Sequence, residues 1–418
     1  MSKDDRQPAL VPRLRFPEFR ESGAWKFRPL KAVGSRVNER NSDESISRVL
    51  TNSAEHGVLD QRDFFEKDIA VAGKLDNYFV VEEGDYVYNP RISRTAPVGP
   101  ISRNNVGQGV MSPLYTVFRL GEDGTDFHEH YFATSGWHDY LRSVSSTGAR
   151  HDRMSIGITD FMNMPIPLPD PAEQRKIADC LGSLDDLISA EGRKLAALRD
   201  HKQGLMQQLF PRQGETQPRL RFPEFRNAGE WNEKQLREVG EIVTGKTPST
   251  KDSSNWSGGV PFITPTDIDD LGKYQTNTAR TVAEQAVRTL LPSGAIVYTC
   301  IASIGKMAMT VRPSVTNQQI NSVIPRPEYV SEFIYYILQN LTPWIQSIPA
   351  SSTLAIINKT EFSQIPVSLP SPQEQQLIAD CLSALDAWIA AQAEKLDALR
   401  THKCGLMQQL FPSPEDTA

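Results

Sequence analysis

Cysteine is scarce in this sequence, with four residues among 418, at positions 180, 300, 381 and 404. None of them forms a Cys-x-x-Cys pair, and the seven histidines add no cluster of potential metal ligands. Zinc fingers and disulfide scaffolds need closely spaced ligands or paired cysteines, so neither is predicted. This cysteine usage is typical of a reducing compartment, and we expect a cytoplasmic protein without a metal site.

Long apolar runs and an excess of basic residues are also missing. No apolar stretch approaches the roughly 18–20 residues that a membrane helix needs. The first residues are charged and are followed by no apolar segment, so no secretory signal is expected. Lysine and arginine number 45 against 51 aspartate and glutamate residues, a net charge of -6. This balance argues against a protein that binds nucleic acid alone by bulk charge, although it leaves room for local basic faces.

The sequence does contain an internal repeat. Residues 12–20 recur letter for letter at 218–226, an offset of 206. A longer segment, 173–211, recurs in most of its positions at 374–412, with an offset of 201. The blocks between these segments share little. We therefore interpret the chain as two copies of one large unit, each a variable domain followed by a nearly identical segment.

Both copies of the longer segment carry signals for the start and the end of a helix. Asp170-Pro171 precedes the first helix and Ser371-Pro372 the second, and each pair provides an N-cap followed by proline. Phe-Pro pairs at 210–211 and 411–412 end the two segments, because proline cannot continue a helix. The span of about 40 residues predicts helices roughly 60 Å long.

Apolar residues in both helices fall on the a and d positions of a heptad repeat, which is typical of a coiled coil. We expect the two helices to pair antiparallel, in a register that places Glu191 beside Lys403 and Lys202 beside Gln392. The alternative is an ordinary amphipathic helix packed on its own domain. The predicted seam consists of Leu181, Leu184, Ile188, Leu195 and Leu198 in the first helix and Leu382, Leu385, Ile389, Leu396 and Leu399 in the second.

The variable blocks, about 35–165 and 241–366, are predicted to be mixed α/β domains. Short runs of β-branched and aromatic residues indicate strands. In the first block we expect strands at 78–81, 86–88 and 114–120 and a helix over 124–142. In the second block we expect strands at 260–263, 295–298 and 307–311 and a helix around 328–346.

Polar and basic residues lie between the predicted strands, and we predict that a subset contacts DNA. Arginine, lysine, asparagine and glutamine are the side chains that read base edges in the major groove. For each of them the alternative is an ordinary solvated loop residue. The candidates are Arg91, Arg94, Arg103 and Asn105 in the first domain and Lys246, Lys306, Gln318 and Gln319 in the second. The sequence shows no convincing catalytic or metal-ligating constellation.

Residues 240–247 match the phosphate-binding pattern G-x-x-x-x-G-K-[ST]. Such a loop needs an apolar strand before it and a helix after it, so that backbone N–H groups point at the phosphates. Residues 233–239 are charged and helix-like, and residues 248–255 have the composition of a loop. We therefore prefer Lys246 as a contact to a DNA phosphate, and nucleotide binding stays the alternative.

The order of a domain, a heptad helix, a second domain and a matching helix resembles the specificity subunit of type I restriction-modification systems. The resemblance covers residues 12–412. Its most specific parts are Pro165–Pro169 leading into Glu173-Gln174, and residues 365–370 leading into Glu374-Gln375. Gly245-Lys246-Thr247-Pro248, Ile304-Gly305-Lys306 and Asn317-Gln318-Gln319-Ile320 are similar to segments of the second recognition domain in that family.

The resemblance implies an α/β (α+β) fold class. Two mixed α/β target-recognition domains would be separated by two long antiparallel coiled-coil helices, in a pseudo-two-fold repeat. The implied divisions are a flexible N-terminal extension (1–11), a first recognition domain (12–169), a spacer helix (170–211), a second recognition domain (212–370), a second spacer helix (371–412) and a tail (413–418).

The resemblance also implies that each domain reads one half of a bipartite double-stranded DNA target, while the helices dock two modification subunits. Those methyltransferase subunits would carry S-adenosylmethionine and methylate adenine, and restriction subunits would add translocation and cleavage that depend on ATP and magnesium. The chain itself would be non-catalytic and hold no cofactor. The competing interpretations are a P-loop nucleotide-binding protein, a structural coiled-coil adaptor, and a DNA-binding protein that acts without partners.

Overall fold

A computed structural model describes residues 11–64, 75–121, 126–146, 152–212, 214–269, 272–348 and 356–412. The predicted extension, apart from Val11, and the predicted tail lie outside these residues. The chain divides into two compact units, which we call unit 1 (residues 1–190 and 396–418) and unit 2 (residues 191–395). Each unit combines one variable domain with parts of both long helices, so this division cuts the helices that the sequence analysis assigned whole.

Unit 1 is a mixed α/β structure whose main sheet has four antiparallel strands in the order β2-β9-β6-β7. Its helices are α1 (Leu30–Val33), α2 (Gln61–Phe64), α3 (Asp126–Phe132), α4 (His138–Val144), α5 (Ile158–Met162) and the start of α6 (Pro171–Leu209). Its strands are β1 (Lys26–Pro29), β2 (Gly34–Arg36), β3 (Leu50–Ser53), β4 (Gly57–Asp60), β5 (Phe79–Val81), β6 (Tyr86–Tyr88), β7 (Ile101–Arg103), β8 (Gly109–Met111), β9 (Thr116–Leu120) and β10 (Pro165–Leu168).

Unit 2 has a five-stranded sheet in the order β12-β19-β16-β17-β14 and a three-stranded sheet in the order β15-β13-β18. Its helices are the end of α6, α7 (Leu236–Val239), α8 (Ser331–Ser347), α9 (Lys359–Ser363) and most of α10 (Pro372–Leu410), whose last residues belong to unit 1. Its strands are β11 (Asn232–Gln235), β12 (Gly240–Thr244), β13 (Trp256–Ile263), β14 (Tyr274–Gln275), β15 (Arg280–Val282), β16 (Ile296–Thr299), β17 (Met307–Thr310), β18 (Val315–Thr316), β19 (Ile320–Pro325) and β20 (Pro366–Leu369). The predicted mixed fold class is confirmed.

Two local predictions need correction. The helix expected over 124–142 is two helices, α3 and α4, in its described part. The Thr134 hydroxyl donates to the carbonyl of Tyr131 and accepts from the amide of Gly136, which turns the chain at the end of α3. Residues 233–239, which look helical in sequence, begin as strand β11, because β11 pairs antiparallel with β20. Only one helical turn, α7, follows.

The repeated segment 12–20 and the repeated Glu-Gln pair hold each long helix on its domain. In unit 1 the Arg15 guanidinium donates to both carboxylate oxygens of Glu173 at 2.6 and 2.7 Å, and both side chains are buried. Arg221 and Glu374 make the same bidentate pair in unit 2 at 2.7 and 2.8 Å. The remaining guanidinium nitrogen of Arg15 donates to two backbone carbonyls. The start of each helix is therefore fixed by a buried, fully hydrogen-bonded ion pair.

Each unit has an apolar core into which the long helices extend. The unit 1 core joins aromatic side chains of the domain to Leu181 of α6 and to Leu410 and Phe411 at the end of α10. The unit 2 core includes Leu382 and Leu385 of α10. The helices thus also pack on the domains, as the alternative to a coiled coil supposes. Among the ten predicted seam residues, Leu181, Leu195, Leu382, Leu385 and Leu396 are buried and the other five are half-buried.

The two long helices run antiparallel, as predicted, but the predicted register is wrong. In unit 2 Lys202 Nζ lies 2.7 Å from an oxygen of Asp386, and Glu191 accepts hydrogen bonds from Gln392 and Lys395. In unit 1 Lys403 Nζ donates to Asp185 instead. Asp185 and Asp386 occupy equivalent e positions beside the seam, where opposite charge attracts the a-position lysines. The predicted register rested only on the a and d positions, so it did not take these two aspartates into account.

The side chain that lies next to the aspartate of each lysine–aspartate pair differs between the two units. In unit 2 the Tyr336 hydroxyl of α8 donates to Asp386 at 2.6 Å. In unit 1 the ring nitrogen Nδ1 of His130 in α3 lies 4.0 Å from Asp185. Burial lowers the pKa of His130, and the nearby Lys403 lowers it further. We infer that His130 packs against the helix pair mainly in its neutral form.

Charge reversal tests the observed register. Asp386→Lys should destabilise the protein because it places two lysines together in a mostly buried site, whereas adding Lys202→Asp restores the attraction. We expect a coupling energy of roughly 1 kcal/mol or more in a double-mutant cycle followed by urea unfolding. Lys194→Asp, at an exposed position of α6, controls for a change of charge alone. Simple additivity of the two single effects would contradict the pairing.

Candidate nucleic-acid interface

Three of the segments singled out in the sequence meet at one end of the five-stranded sheet of unit 2. Neighbouring strands there are antiparallel, so β12 and β16 end where β19 and β17 begin. The register pairs Thr244 with Asn321 and Thr299 with Ile320. The loops that follow β12, precede β19 and join β16 to β17 therefore lie side by side. We call this surface, formed by residues 245–248, 300–306 and 317–319, the unit 2 sheet end.

Backbone hydrogen bonds hold the first two loops together. The amide of Gly245 donates to the carbonyl of Ile320 at 3.1 Å, and the amide of Lys246 donates to Thr316 at 2.8 Å. A Cβ atom on Gly245 would lie only 2.1 Å from the carbonyl oxygen of Asn317. Glycine is thus required at position 245 by the close approach of the two chains.

Side chains at this contact are held in fixed orientations. The Thr247 hydroxyl donates to Oε1 of Gln318 at 2.6 Å, and the Asn317 amide donates to Oε1 of Gln319 at 2.9 Å. Gln318 and Lys246 are exposed, and Gln319 is half-buried. Holding a glutamine amide in one orientation reduces the entropy lost on binding, which suits a residue that recognises a hydrogen-bonding partner.

The third loop, residues 300–306, is held by hydrogen bonds at both of its ends and by one from α8. The amide of Cys300 donates to the carbonyl of Gln319 at 2.8 Å, and the amide of Lys306 donates to the Thr299 hydroxyl at 2.9 Å. Gly305 has a φ of 105°, and its preceding carbonyl, Ile304, accepts a hydrogen bond from the Gln346 side chain of α8. The predicted residues Lys246, Lys306, Gln318 and Gln319 therefore belong to one surface.

A cleft of about 560 Å³ adjoins this surface. It lies between residues 243–249 and 285–291, and its lining also includes Asn255 and two residues of β18. Lys246 and Arg288 are its basic side chains, and among the described lining residues no carboxylate opposes them. Arg288 was not among the sequence candidates, because no motif surrounds it. The cleft has the charge that a phosphate backbone would require.

The apparent phosphate-binding loop is part of this sheet end and lacks the geometry of a nucleotide site. Residues 240–244 form strand β12. In the described chain after the motif, residues 248–252 are not helical, and only a 3-10 turn, Ser253–Asn255, follows. The amides of Gly245 and Lys246, which a P-loop would direct at phosphates, donate to backbone carbonyls instead. The nucleotide-binding alternative therefore has no structural support.

In unit 1 the predicted residues fall at opposite ends of the main sheet. Tyr88, the last residue of β6, pairs with Ile101, the first of β7, so Arg91 and Arg94 lie in the loop between them. Arg103 ends β7 and therefore lies, with Asn105, at the other end. Both arginines of the β6–β7 loop are exposed, and Arg91 Nε lies 3.9 Å from a carboxylate oxygen of Asp152.

Arg103 and Asn105 make contacts that connect the sheet to α3. Arg103 donates to the carboxylates of Asp126 and Glu129, and the Asn105 amide donates to Glu129 at 2.8 Å. Two carboxylates beside Arg103 neutralise its charge, which makes it a poorer phosphate contact than Arg91 or Arg94. DNA contact by Arg103 and Asn105 stays a prediction, and the geometry favours a structural role for both.

The end of the sheet that carries Arg91 also has a cleft, of about 430 Å³. Its lining includes the amides of Asn52 and Asn89, the ring of Tyr115 and a second basic side chain, Arg153. Arg153 forms an isolated β-bridge with Arg91. Arg153 was not among the sequence candidates, because it lies about 60 residues from Arg91 with no shared motif. We call this surface the unit 1 sheet end.

Metal-ligating side chains do not cluster anywhere in the described residues. Within the same ranges, no helix is long and apolar enough to cross a membrane.

Comparisons with known proteins show which families and structures the chain is similar to. Residues 228–401 match the family model described as type I restriction modification DNA specificity domain. The MjaIX specificity subunit of Methanocaldococcus jannaschii is 32% identical over 189 residues, covering 44% of this chain and 44% of the relative. The HindI specificity subunit of Haemophilus influenzae is 33% identical over 149 residues, covering 34% of this chain and 32% of the relative. The chain thus spans less than half the length of these curated relatives.

Solved structures support the fold. The type I restriction-modification S subunit from M. genitalium superposes with a TM-score of 0.58 at 15% identity, covering 97% of this chain and 100% of that one. A chain from a study of complex assembly and conformational transition of the type I R-M system gives a TM-score of 0.56 at 19% identity, covering 93% and 98%. The architecture is therefore shared although most residues differ.

Substitution of Gly245 tests whether the unit 2 sheet end depends on close packing. We expect Gly245→Ala to destabilise the protein by roughly 1–3 kcal/mol, because the added methyl group must push the two loops apart. The matched control is Gly259→Ala in β13, where a Cβ atom meets nothing within 4 Å. Urea unfolding of both variants provides the measurement. Equal stability of the two variants would show that the loops are not packed as described.

Proposed function

We propose that this chain is a specificity subunit of the type I restriction-modification family, whose domain model matches residues 228–401, and that it recognises a bipartite double-stranded DNA target. Each recognition domain would read one half of that target through its own sheet end. The observation that carries the proposal is the unit 2 sheet end. Three separate segments there bring two exposed side chains, Lys246 and Gln318, and two half-buried ones, Lys306 and Gln319, to one surface beside a cleft with basic lining.

The side chains at the two sheet ends suit both parts of DNA recognition, which are contact with phosphates and contact with base edges. Arg91, Arg94, Lys246 and Arg288 are exposed cations that can contact phosphates. Gln318, held by Thr247, is an oriented amide of the kind that pairs with base edges. We infer that phosphate contacts position each domain and that a few amide and arginine side chains select the bases.

We further propose that the chain is the non-catalytic recognition subunit of a larger cytoplasmic complex. Two methyltransferase subunits would dock on the long helices, and restriction subunits would complete the assembly. S-adenosylmethionine, ATP and magnesium would bind to those partners. The net charge of -6 supports this division, because partners would then supply much of the positive surface that DNA binding requires.

A structural coiled-coil adaptor is the remaining alternative from another class. An adaptor would not need two domains with different loop sequences on nearly identical helices. The helix contacts repeat in both units, as the Arg15–Glu173 and Arg221–Glu374 pairs show. The loops at the two sheet ends share almost no sequence. This contrast favours two domains that bind different ligands on one shared framework.

A domain exchange tests the proposal. Residues 241–366 would be replaced by the matching block of a relative with a different target, and the complete complex would be expressed in cells. We expect one half of the methylated motif to change and the other half to stay, because each domain contacts its own stretch of groove. Sequencing that detects methylated adenine provides the measurement. The reciprocal exchange of residues 35–165 is the matched control and should change the other half.

The proposal fails if either exchange alters both halves of the motif, or if neither changes it although methylation persists. Loss of all methylation would be resolved by testing whether the exchanged protein still assembles with the methyltransferase subunits. An assembled complex that binds no DNA site would also count against independent reading of the two halves.

A further inference from the structure

One exposed arginine of unit 2, Arg280, is supported by an aromatic ring. It is the first residue of β15, and the carbon of its guanidinium group lies over the Trp256 ring, 3.5 Å from the ring centre. The planar, weakly hydrated guanidinium group of arginine is suited to such a contact. In the described part of the chain, no carbonyl or carboxylate oxygen accepts a hydrogen bond from this group, so its N–H donors are available to a ligand.

The Trp256 ring is itself held in a fixed position. Its indole N–H donates to the carbonyl of Ser249 at 3.1 Å, and its ring meets the Phe262 ring edge-on, with the centres 5.2 Å apart. Trp256 and Val260 both pair with Val282 of β15, so the residues between them form a β-bulge. Bulges often redirect a side chain beside a functional site. The ring is therefore a rigid platform under the arginine.

This platform adjoins the candidate interface. Ser249, which accepts the hydrogen bond from the indole, directly follows residues 245–248 of the unit 2 sheet end. Ser249 also lines the cleft that contains Lys246. The contact between Trp256 and Ser249 thus connects the platform to the loop that carries Lys246. Arg280 was not among the sequence candidates, because its support by a ring 24 residues away depends on the fold.

An arginine of unit 1 also lies over a ring, but its guanidinium group is already engaged. The guanidinium carbon of Arg40 is 4.3 Å from the centre of the Phe79 ring, and one of its nitrogens donates to the carbonyl of Asn77. Arg40 therefore resembles a structural contact. Arg280 combines the support of a ring with unengaged donors, which is the combination that recognition of a ligand requires.

A supported arginine fork suits a base edge better than a phosphate. Guanine presents two acceptors, O6 and N7, side by side in the major groove, and arginine can bind both at once. A phosphate contact needs mainly positive charge, which the exposed Lys246 side chain also provides. Because the Trp256 ring already restricts Arg280, less conformational entropy is lost when both hydrogen bonds form.

We propose that Arg280 is a specificity-determining residue that donates hydrogen bonds to O6 and N7 of one guanine, and that Trp256 is its positioning residue. The half of the target that unit 2 reads then contains a G·C pair. This inference rests on the proposed function, because that function supplies the duplex DNA.

The test measures how tightly the assembled complex binds duplexes that carry its target, after the domain exchange has identified the half read by unit 2. Each guanine of that half, in either strand, is replaced in turn by 7-deazaguanine, which lacks the N7 acceptor. For the wild-type complex we expect one replacement to weaken binding by roughly 5-fold or more, because an arginine donor loses its partner. For Arg280→Ala we expect the same replacement to have no effect.

Two further variants separate base contact from other roles. Trp256→Leu removes the platform but keeps the arginine, so it should reduce the effect of the same replacement. Lys246→Ala should weaken binding to every duplex equally and leave that effect unchanged, as loss of a phosphate contact does. The matched control is Arg312→Ala, an exposed arginine that follows the other end of β17, and it should change nothing. Native mass spectrometry shows whether each variant assembles.

The inference is wrong if no guanine in that half is sensitive to the replacement, or if the sensitive guanine has the same effect with Arg280→Ala as with the wild-type protein. Equal weakening of every duplex by Arg280→Ala, with the effect of 7-deazaguanine retained, would identify a phosphate contact instead. These results leave the proposed function intact. If the wild-type complex binds no bipartite site, the proposed function itself fails.

Discussion

The buried pair of an arginine and a glutamate is the interaction on which the architecture depends. Arg15 with Glu173, and Arg221 with Glu374, fix the first turn of each long helix to the segment that opens its domain. Both pairs are bidentate, and in unit 1 the spare guanidinium nitrogen is satisfied by backbone carbonyls. A buried ion pair is tolerable only when its hydrogen bonds are complete, and removing one partner strands a buried charge. The two segments of sequence that form the pair therefore recur together.

This constraint separates the parts of the chain that must repeat from the parts that can vary. The apolar heptad residues of the long helices, the lysine–aspartate pairs and the arginine–glutamate pairs each occur in two equivalent copies. The loops at the sheet ends are held by backbone hydrogen bonds, as for Gly245 and Lys246, so their exposed side chains can change without loss of the framework. Under the proposed function, such an arrangement would allow the recognised DNA sequence to diverge on a constant scaffold.

Much of the framework could be predicted from the sequence because it depends on periodic or local signals. The heptad pattern indicated the helices, and caps and prolines indicated their ends. The register was predicted wrongly because Asp185 and Asp386 lie outside the a and d positions and act through charge. The break between α3 and α4 depends on a threonine hydroxyl bonded to nearby backbone, which an apolar pattern does not reveal.

The candidate site was predictable only where its residues lie in recognisable sequence segments. Lys246, Lys306, Gln318 and Gln319 were found in three motifs, and the antiparallel sheet brings those motifs together. Arg288 and Arg153 were missed because their proximity to the site depends on tertiary structure. Arg103 was chosen for its residue type, although its carboxylate partners on α3 could be recognised only after folding.

The central claim is that each half of the target is contacted through its own sheet end. Phosphate ethylation interference on the assembled complex, with wild-type protein and with Lys246→Ala, tests it most directly. The account predicts that the substitution removes interference at phosphates of one half of the site and leaves the other half unchanged. The claim is contradicted if the substitution leaves ethylation interference unchanged in both halves of the site, or weakens it equally in both.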